Sequence, residues 1–418
     1  MDARRRRILF VAEAVSLAHV ARLALLAGAL DRARYEVWFA SARFPELVFT
    51  GAKLQRRHLF SQAPEHTLAR IARGQRPWEE ATLERYVMND LGLLEELRPD
   101  LVVGDFRLSL AISAPRTGTP YASLINAYWS PYGVRGAFPI PEHPLVRMLG
   151  VERVARRYRF ALPLMFRHYA RPIDRLRRRY GLPALGGLLE TLTFGDYTLY
   201  PDVPELAPTR HAPANHRYLG ALSWSPPAPL PACWHRIDPA RPLVYCTLGS
   251  SGELSALDAV LAAARSLPIS LLVASAGRFA PRAVSDNVWI TDFVPGNVVA
   301  ERAALVICNG GSTSGYQALE QSTPVLGLPF NFDQYLASET ISRAGAGLYL
   351  RSSEANASNV AAAIEQLLYD GRFAAAARQM HAAFGRYDAL GRFRAFIEET
   401  TRGVRVARLS KTHALSET

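Results

Sequence analysis

The chain has 418 residues, of which 49% are hydrophobic, so it is long enough to form two domains with separate cores. Its net charge is +12, and every basic residue except Lys53 and Lys411 is an arginine. The arginines are spread along the chain without a zinc-finger, RNA-recognition or basic-zipper pattern, so we predict no nucleic-acid binding. A positive field suits an anionic nucleotide or an acidic membrane surface instead.

Cysteine usage and hydropathy narrow the location of the protein. Cys233, Cys246 and Cys308 are too few and too scattered for a disulfide framework or a zinc site, which predicts a reducing cytoplasm. Glu13, His19 and Arg22 interrupt the apolar run after the N-terminal arginines, so a strand and a helix are predicted there rather than a signal peptide. The sequence contains no uninterrupted apolar stretch of about 18 residues, so no transmembrane helix is predicted.

The first half of the chain alternates apolar strands with helical segments. Strands are predicted over residues 7–11, 35–40, 101–105 and 119–124, and a helix over about 20–30. Apolar strands separated by helices are typical of a parallel sheet that is covered on both faces.

A basic helical region is predicted over about residues 145–180. Its arginines, from Arg153 to Arg179, are mixed with apolar residues such as Phe160 and Leu164. The simplest interpretation is a solvated surface with one packed stripe. The alternative is peripheral contact with an anionic membrane or an acidic acceptor.

Proline density marks a predicted domain boundary. Residues 223–242 contain six prolines, which disfavour both helix and sheet. We therefore predict an N-terminal domain over 1–225, a linker over 226–242 and a C-terminal domain over 243–385. A polar, disordered tail is predicted over 409–418.

The segment 305–334 predicts an anion-binding site. It combines a strand over 305–308, a glycine-rich turn, a helix over 314–321, a strand over 324–327 and the pair Asp333-Gln334 in the next loop. Gly310 and Gly311 allow a ligand to approach the backbone, and a helix N-terminus attracts negative charge.

This segment resembles the donor signature of family 1 glycosyltransferases, the group that contains natural-product and macrolide enzymes. The corresponding residues begin at Phe293-Val294-Pro295-Gly296 and Asn309-Gly310-Gly311-Ser312-Thr313-Ser314, and continue through Gln317, Ser322-Thr323-Pro324 and Asp333-Gln334. Spacing is preserved, but Gly296, Asn309, Gln317 and Ser322 replace Gln, His, Glu and Gly of the signature. The resemblance implies an α/β fold of the GT-B type, with two Rossmann-like domains whose parallel sheets face each other across a cleft. It also implies that a helix over 386–408 packs back on the first domain.

The resemblance implies a nucleotide diphosphate sugar, UDP- or dTDP-linked, as the donor substrate, with no other cofactor. No Asp-x-Asp pair lies at a strand end, so amides and dipoles rather than a metal are predicted to stabilise the leaving group. Gln317 stands where the signature has a glutamate that binds a ribose hydroxyl, so the choice between a uridine and a deoxythymidine donor stays open. A nucleotide with 2′-deoxyribose would lose least from the absence of that carboxylate. The implied donor-binding residues are Thr247, Gly249, Ser250, Phe293, Val294, Asn309, Gly310, Gly311, Ser312, Thr313, Ser314, Gln317, Asp333 and Gln334.

Two residues of the first half are candidates for catalysis. His19 follows the first strand and Asp105 ends a later strand, so both are predicted in loops at the ligand-binding edge of the sheet. In the resembled family, a histidine and an aspartate at these places form an oriented general base. Taken alone, His19 is also consistent with a structural histidine, and Asp105 with a helix cap.

These predictions together describe a metal-independent inverting glycosyltransferase that acts on a hydroxyl of a small, apolar acceptor. Tyr128, Trp129 and Tyr132, in one of two loops predicted to shape the acceptor pocket, favour an apolar or ring-containing molecule. The alternatives are a lipid-directed transferase, a nucleotide-sugar epimerase, and an auxiliary protein that binds nucleotide without turnover.

Overall fold

The computed structural model describes residues 4–51, 54–72, 75–136, 138–140, 142, 144–249 and 254–416. The first of its two seven-stranded sheets is entirely parallel, with the strand order β3-β2-β1-β4-β5-β6-β7. Its strands are β1 (Arg6–Ala12), β2 (Tyr35–Ser41), β3 (Gln55–His58), β4 (Leu101–Asp105), β5 (Tyr121–Leu124), β6 (Tyr197–Tyr200) and β7 (His216–Tyr218).

The second sheet has the order β10-β11-β9-β8-β12-β13-β14, and only the edge strand β10 is antiparallel to its neighbour. Its strands are β8 (Leu243–Thr247), β9 (Ser270–Ala274), β10 (Arg282–Ser285), β11 (Val288–Thr291), β12 (Leu305–Cys308), β13 (Val325–Gly327) and β14 (Gly347–Tyr349).

Helices connect the strands and cover both sheets. In the first half they are α1 (Leu17–Gly28), α2 (Glu46–Phe49), α3 (Pro64–Ala72), α4 (Glu80–Leu97), α5 (Leu110–Thr117), α6 (Pro144–Leu149), α7 (Val151–Arg179) and α8 (Leu188–Leu192). In the second half they are α9 (Leu254–Ala264), α10 (Gly296–Arg302), α11 (Ser312–Glu320), α12 (Phe332–Arg343), α13 (Ala357–Tyr369), α14 (Gly371–Gly385) and α15 (Ala389–Ser416). Two short 3-10 helices lie at Ala127–Trp129 and Trp234–Arg236.

Strand β1 shows why these segments form buried parallel strands. Ile8 and Phe10 pack into one core, which contains α1, whereas Leu9 and Val11 pack into another on the opposite face. A strand directs successive side chains to opposite faces, so a continuous apolar run is stable only when both faces are covered.

Each sheet has a point where its strand order reverses, between β1 and β4 in the first and between β8 and β12 in the second. The connections leave such adjacent strands in opposite directions, and a crevice opens at their carboxyl ends. The loops and helix starts after these four strands are therefore expected to carry the ligand-binding residues.

Two element boundaries that bear on the site differ from the sequence prediction. Helix α1 begins at Leu17, so His19 lies in its first turn and not in a loop. Helix α12 begins at Phe332, so Asp333 and Gln334 are also helical; the Asn331 side chain caps this helix by accepting from the Gln334 N–H at 3.0 Å. The first prediction was wrong because it began the helix at about residue 20, and the second because it placed a loop and no helix after the strand over 324–327.

Two other boundaries also differ. The basic region forms two helices, α6 and α7, which are separated by Gly150 with φ of 80°. Helix α15 continues to Ser416, past residue 409 where the tail was predicted to begin. In the described ranges, no helix combines the length and the apolar character that a bilayer crossing requires.

The last helix packs against the first sheet. Ala389, Phe393, Phe396 and Ile397 belong to the same core as β1, and the Phe393 ring centroid lies 5.9 Å from that of Phe10. Arg34 and Glu398 form an ion pair at 2.5 Å at the edge of this contact. The chain thus returns from the second half to complete the core of the first.

We predict that Phe393→Ala lowers the free energy of unfolding by about 3–5 kcal/mol, because it leaves a cavity beside Phe10. Tyr369→Ala is a matched control, since Tyr369 is 66% exposed and should change stability by less than about 0.5 kcal/mol. Urea denaturation followed by circular dichroism measures both. Equal losses in the two variants would contradict the packing of α15 on the first sheet.

Candidate active site

A cavity of about 1260 Å³ is lined by residues that follow strands of both sheets. It brings together most of the residues that the sequence predicted for the site. Asp105 contacts His19 and Gly310 precedes Gly311, but neither residue lines the cavity itself, and Ser250 falls outside the described residues. The predicted residues that line the cavity are His19, Thr247, Gly249, Phe293, Val294, Asn309, Gly311, Ser312, Thr313, Ser314, Gln317, Asp333 and Gln334.

His19 and Asp105 are in direct contact. The His19 Nδ1 atom lies 2.8 Å from Asp105 Oδ1, and the imidazole stacks on Phe106 with ring centroids 5.1 Å apart. The His19 side chain is 20% exposed, whereas the Asp105 side chain is fully buried. In the tautomer that carries its proton on Nδ1, His19 donates to Asp105 and keeps a lone pair on Nε2. That arrangement is typical of an oriented general base.

Arg22 is a second partner of Asp105, and the sequence analysis did not find this contact. Its Nε donates to Asp105 Oδ2 at 3.0 Å and its Nη2 to Oδ1 at 2.9 Å. Burial by itself would raise the pKa of the Asp105 carboxyl, but the charges of Arg22 and His19 outweigh it and lower that pKa below its usual value. Asp105 is therefore ionised at neutral pH. The signal in the sequence was the spacing of three residues between His19 and Arg22, which places both on one helix face.

The network continues along the carboxyl edge of the first sheet. Arg22 Nη1 donates to Asn126 Oδ1 at 2.7 Å, and Asn126 Nδ2 donates to Asp202 Oδ1 at 2.9 Å. Asp202 also accepts from the Ala127 N–H at 2.6 Å and from the Tyr316 hydroxyl of α11. Burial raises the pKa of Asp202, although these donors partly oppose the shift. The catalytic candidates are thus joined to a helix of the second half.

The N-terminus of α11 faces the cavity. Gly310 has φ of 76°, a left-handed conformation that favours glycine, and Asn309 Oδ1 accepts from the Gly311 N–H at 3.1 Å. Asn309 therefore helps to order the turn before the helix. The first backbone N–H groups of a helix have no acceptor within it, so those of Ser312 and Thr313 can bind an anion.

Asp333 is contacted from across the cleft. The Trp129 Nε1 atom donates to Asp333 Oδ1 at 2.7 Å, and the Tyr128 hydroxyl donates to the same oxygen at 3.3 Å. Trp129 also packs on Phe332, with ring centroids 5.4 Å apart. Gln334 is oriented by the Phe330 N–H, which donates to its Oε1 at 3.1 Å.

Two departures from the donor signature are sterically linked. Gln317 Nε2 donates to the Trp224 carbonyl at 3.3 Å. A Cβ atom on Gly296 would lie 2.5 Å from Gln317 Oε1, closer than real contacts allow. The absent side chain at residue 296 thus makes room for the Gln317 amide. A glutamate at 317 would have no hydrogen to donate to the Trp224 carbonyl.

In the described part of the site, charge is carried by side chains and, as partial charges, by helix termini. Within the part of the chain that the structure describes, no cluster of three histidines, cysteines or carboxylates could hold a metal ion.

We predict that Gly310→Ala weakens the binding of dTDP or UDP by about tenfold or more. An alanine there would be strained, and its Cβ would lie 2.3 Å from Ser338 Oγ and 3.1 Å from the Gln334 carbonyl, so the turn before α11 would shift. Gly385→Ala is the control, because a Cβ on Gly385 meets nothing within 4 Å. Isothermal titration calorimetry measures both. Unchanged affinity in Gly310→Ala would contradict a role of this turn in nucleotide binding.

Comparison with known proteins confirms the predicted family and the GT-B fold. The model of the erythromycin biosynthesis protein CIII-like C-terminal domain matches residues 259–385. A PGL/p-HBAD biosynthesis glycosyltransferase of Mycobacterium tuberculosis is 47% identical over 386 residues, which cover 92% of this chain and 90% of that protein. A PGL/p-HBAD biosynthesis rhamnosyltransferase of Mycobacterium bovis is 45% identical over 389 residues, which cover 92% and 86%. The structure of spinosyn rhamnosyltransferase SpnG complexed with thymidine diphosphate has a TM-score of 0.64 at 22% identity, and covers 93% of this chain and 99% of that one. The chain therefore belongs to the natural-product type of GT-B glycosyltransferases, in the same family as these mycobacterial enzymes.

Proposed function

We propose that this glycosyltransferase is an inverting, metal-independent enzyme that moves a sugar from a dTDP-sugar to a hydroxyl group of an apolar acceptor. The observation that carries the proposal is the His19 ring, held 2.8 Å from a buried, ionised Asp105 in the same cavity as the N-terminus of α11. A base and an anion site are the two groups that such a transfer requires.

In the proposed reaction, His19 Nε2 takes the proton of the acceptor hydroxyl as its oxygen attacks the anomeric carbon. The new C–O bond forms while the bond from that carbon to the diphosphate oxygen breaks, which inverts the anomeric configuration. The Asp105 carboxylate stabilises the imidazolium that results. The departing diphosphate gains negative charge, which the amides and hydroxyls of Ser312 and Thr313 stabilise.

The surroundings of Gln317 favour a 2′-deoxyribose donor. Its amide donates to the Trp224 carbonyl, and it is neutral where the signature has a charged acceptor for the ribose hydroxyl. The related SpnG structure contains thymidine diphosphate, and the M. bovis relative is named a rhamnosyltransferase. Both support a dTDP-linked sugar, with rhamnose as the first candidate.

The cavity favours a large apolar or aromatic acceptor. On the side of the first half, its wall includes Trp78, Phe106, Leu108, Trp129 and Phe166. Aromatic side chains bury extensive apolar surface and stack on rings. The sequence analysis named Trp129 for this role, but it did not name Phe166, which comes from α7.

We predict that His19→Ala lowers kcat by about 10²–10⁴-fold and leaves dTDP affinity within about twofold, because His19 is proposed to act on the acceptor and not on the nucleotide. His235→Ala, at an exposed histidine, should retain full activity. Release of dTDP from a dTDP-sugar in the presence of apolar aromatic alcohols measures kcat, and calorimetry measures affinity. Full activity of His19→Ala would remove this residue from the mechanism.

We further predict that Gln317→Glu shifts the ratio of kcat/KM for UDP- over dTDP-sugars by about tenfold or more toward UDP. A carboxylate cannot donate to the Trp224 carbonyl and would bind the ribose 2′-hydroxyl instead, in a charged hydrogen bond. Gln366→Glu, at an exposed position of α13, is the matched control and should leave the ratio unchanged. A wild-type enzyme that already prefers UDP-sugars, or an unaltered ratio in Gln317→Glu, would contradict the assignment of the donor.

A further inference from the structure

We propose that one face of α6 and α7 is a membrane-docking surface for anionic lipid, and that it holds the mouth of the acceptor cavity against the bilayer. The evidence for docking is the set of exposed residues on these two helices. Only the delivery of an acceptor through the mouth rests on the proposed function.

Apolar side chains are exposed in unusual number along this face. Met148 is 74% exposed, Phe160 is 69% exposed and Leu164 is 67% exposed, and Leu149 and Val151 are exposed as well. Phe160 and Leu164 are about one turn apart on the same side of α7, whereas Val151, nine residues before Phe160, lies on the opposite side of the helix. Large apolar side chains as exposed as Phe160 and Leu164, next to each other on one side of a helix, favour a surface that binds a partner.

Arginines alternate with these apolar residues at helical spacing. Arg153, Arg157, Phe160, Leu164, Arg167 and Arg171 are separated by three or four residues each, so they form one exposed stripe. The opposite stripe, which includes Leu162, Phe166 and Ala170, is buried. The exposed face therefore presents guanidinium groups around an apolar centre, an arrangement that fits the lipid headgroup and acyl regions together.

The arginines on this face have few carboxylate partners among the described residues. Helix α7 contains only two acidic residues, Glu152 and Asp174, and Asp174 is buried and accepts from the Leu185 N–H at 2.7 Å. Among the residues whose side chains the structure describes, Arg153, Arg156 and Arg157 form no ion pair with a carboxylate. The exposed arginines near the end of the helix differ, because Arg179 pairs with Glu80 and Glu84. The uncompensated charge thus coincides with the apolar cluster, which favours an anionic surface.

The acceptor cavity opens on the same face. Val154, Tyr158 and Met165 line the cavity, and so does Leu164, which is two-thirds exposed. Leu164 therefore lies at the rim. An apolar acceptor in a docked membrane would pass from the lipid into the cavity without crossing water.

The test is sedimentation of the full-length protein with phosphatidylcholine vesicles that do or do not contain phosphatidylglycerol. We expect binding only to the anionic vesicles and release at high salt, because the arginines are screened. The double variants Phe160→Ser/Leu164→Ser and Arg156→Gln/Arg157→Gln should each lose binding by about tenfold or more. Tyr369→Ser and Arg378→Gln, at exposed positions of the second half, are the matched controls and should bind normally.

Equal binding to both vesicle types, or binding that all four variants retain, would overturn the proposal. So would a concentration-dependent dimer of the wild type, lost in Phe160→Ser/Leu164→Ser, without vesicle binding, since a second copy would then be the partner of this face. Circular dichroism and dTDP affinity should remain unchanged in the α7 variants. Vesicle binding requires no sugar transfer, so an inactive protein that binds anionic vesicles would refute the proposed function and leave the docking surface standing.

Discussion

The buried guanidinium of Arg22 is the interaction on which the site depends. Asp105 ends β4, and Asn126 and Asp202 follow the next two strands, β5 and β6; Arg22 contacts Asp105 and Asn126 from α1. Two carboxylates are thereby buried in a row, and removal of one partner from a buried ion pair costs about 3–5 kcal/mol. Arg22 makes an ionised Asp105 stable beneath His19. Through Asn126 and Asp202, it also fixes the first half against Tyr316 of α11.

The sequence sufficed to predict the parts of the site that depend on strand ends. His19 follows β1 and Asp105 ends β4, and neighbouring parallel strands end at the same edge of a sheet, so their proximity was predictable. The turn at Gly310 was predictable from the donor signature around it, because a glycine-rich turn between a strand and a helix is by itself common in α/β proteins. The role of Arg22 was missed because an arginine within a helix is ordinarily exposed, and because the predicted helix began at about residue 20, although Ser16 is a favourable N-cap residue for a start at Leu17.

Contacts across the cleft could not be predicted from the sequence. Trp129 and Asp333 lie 204 residues apart, and no periodicity relates residues in separate sheets. The pairing of Gln317 with Gly296 was also missed, although each departure from the signature was noted by itself. Their connection is a matter of volume: the amide of one residue fills the space that a side chain on the other would occupy. The sequence did predict a basic helical region over about 145–180, but the break at Gly150 and the cavity behind Leu164 required the fold.

In the proposed reaction, the contact between Trp129 and Asp333 would couple the two substrates. Both aromatic donors, Trp129 and Tyr128, reach Asp333 Oδ1, whereas a carboxylate offers about four lone-pair positions on its two oxygens. The sugar hydroxyls of a donor would then bind Oδ2, with the carboxylate already oriented by the first half. The same Trp129 ring forms part of the wall proposed to contact the acceptor. An acceptor that displaced this indole would remove the shorter of the two hydrogen bonds to Asp333 and leave that from Tyr128, so in the proposed reaction Trp129 would relate the shape of the acceptor to the orientation of the sugar.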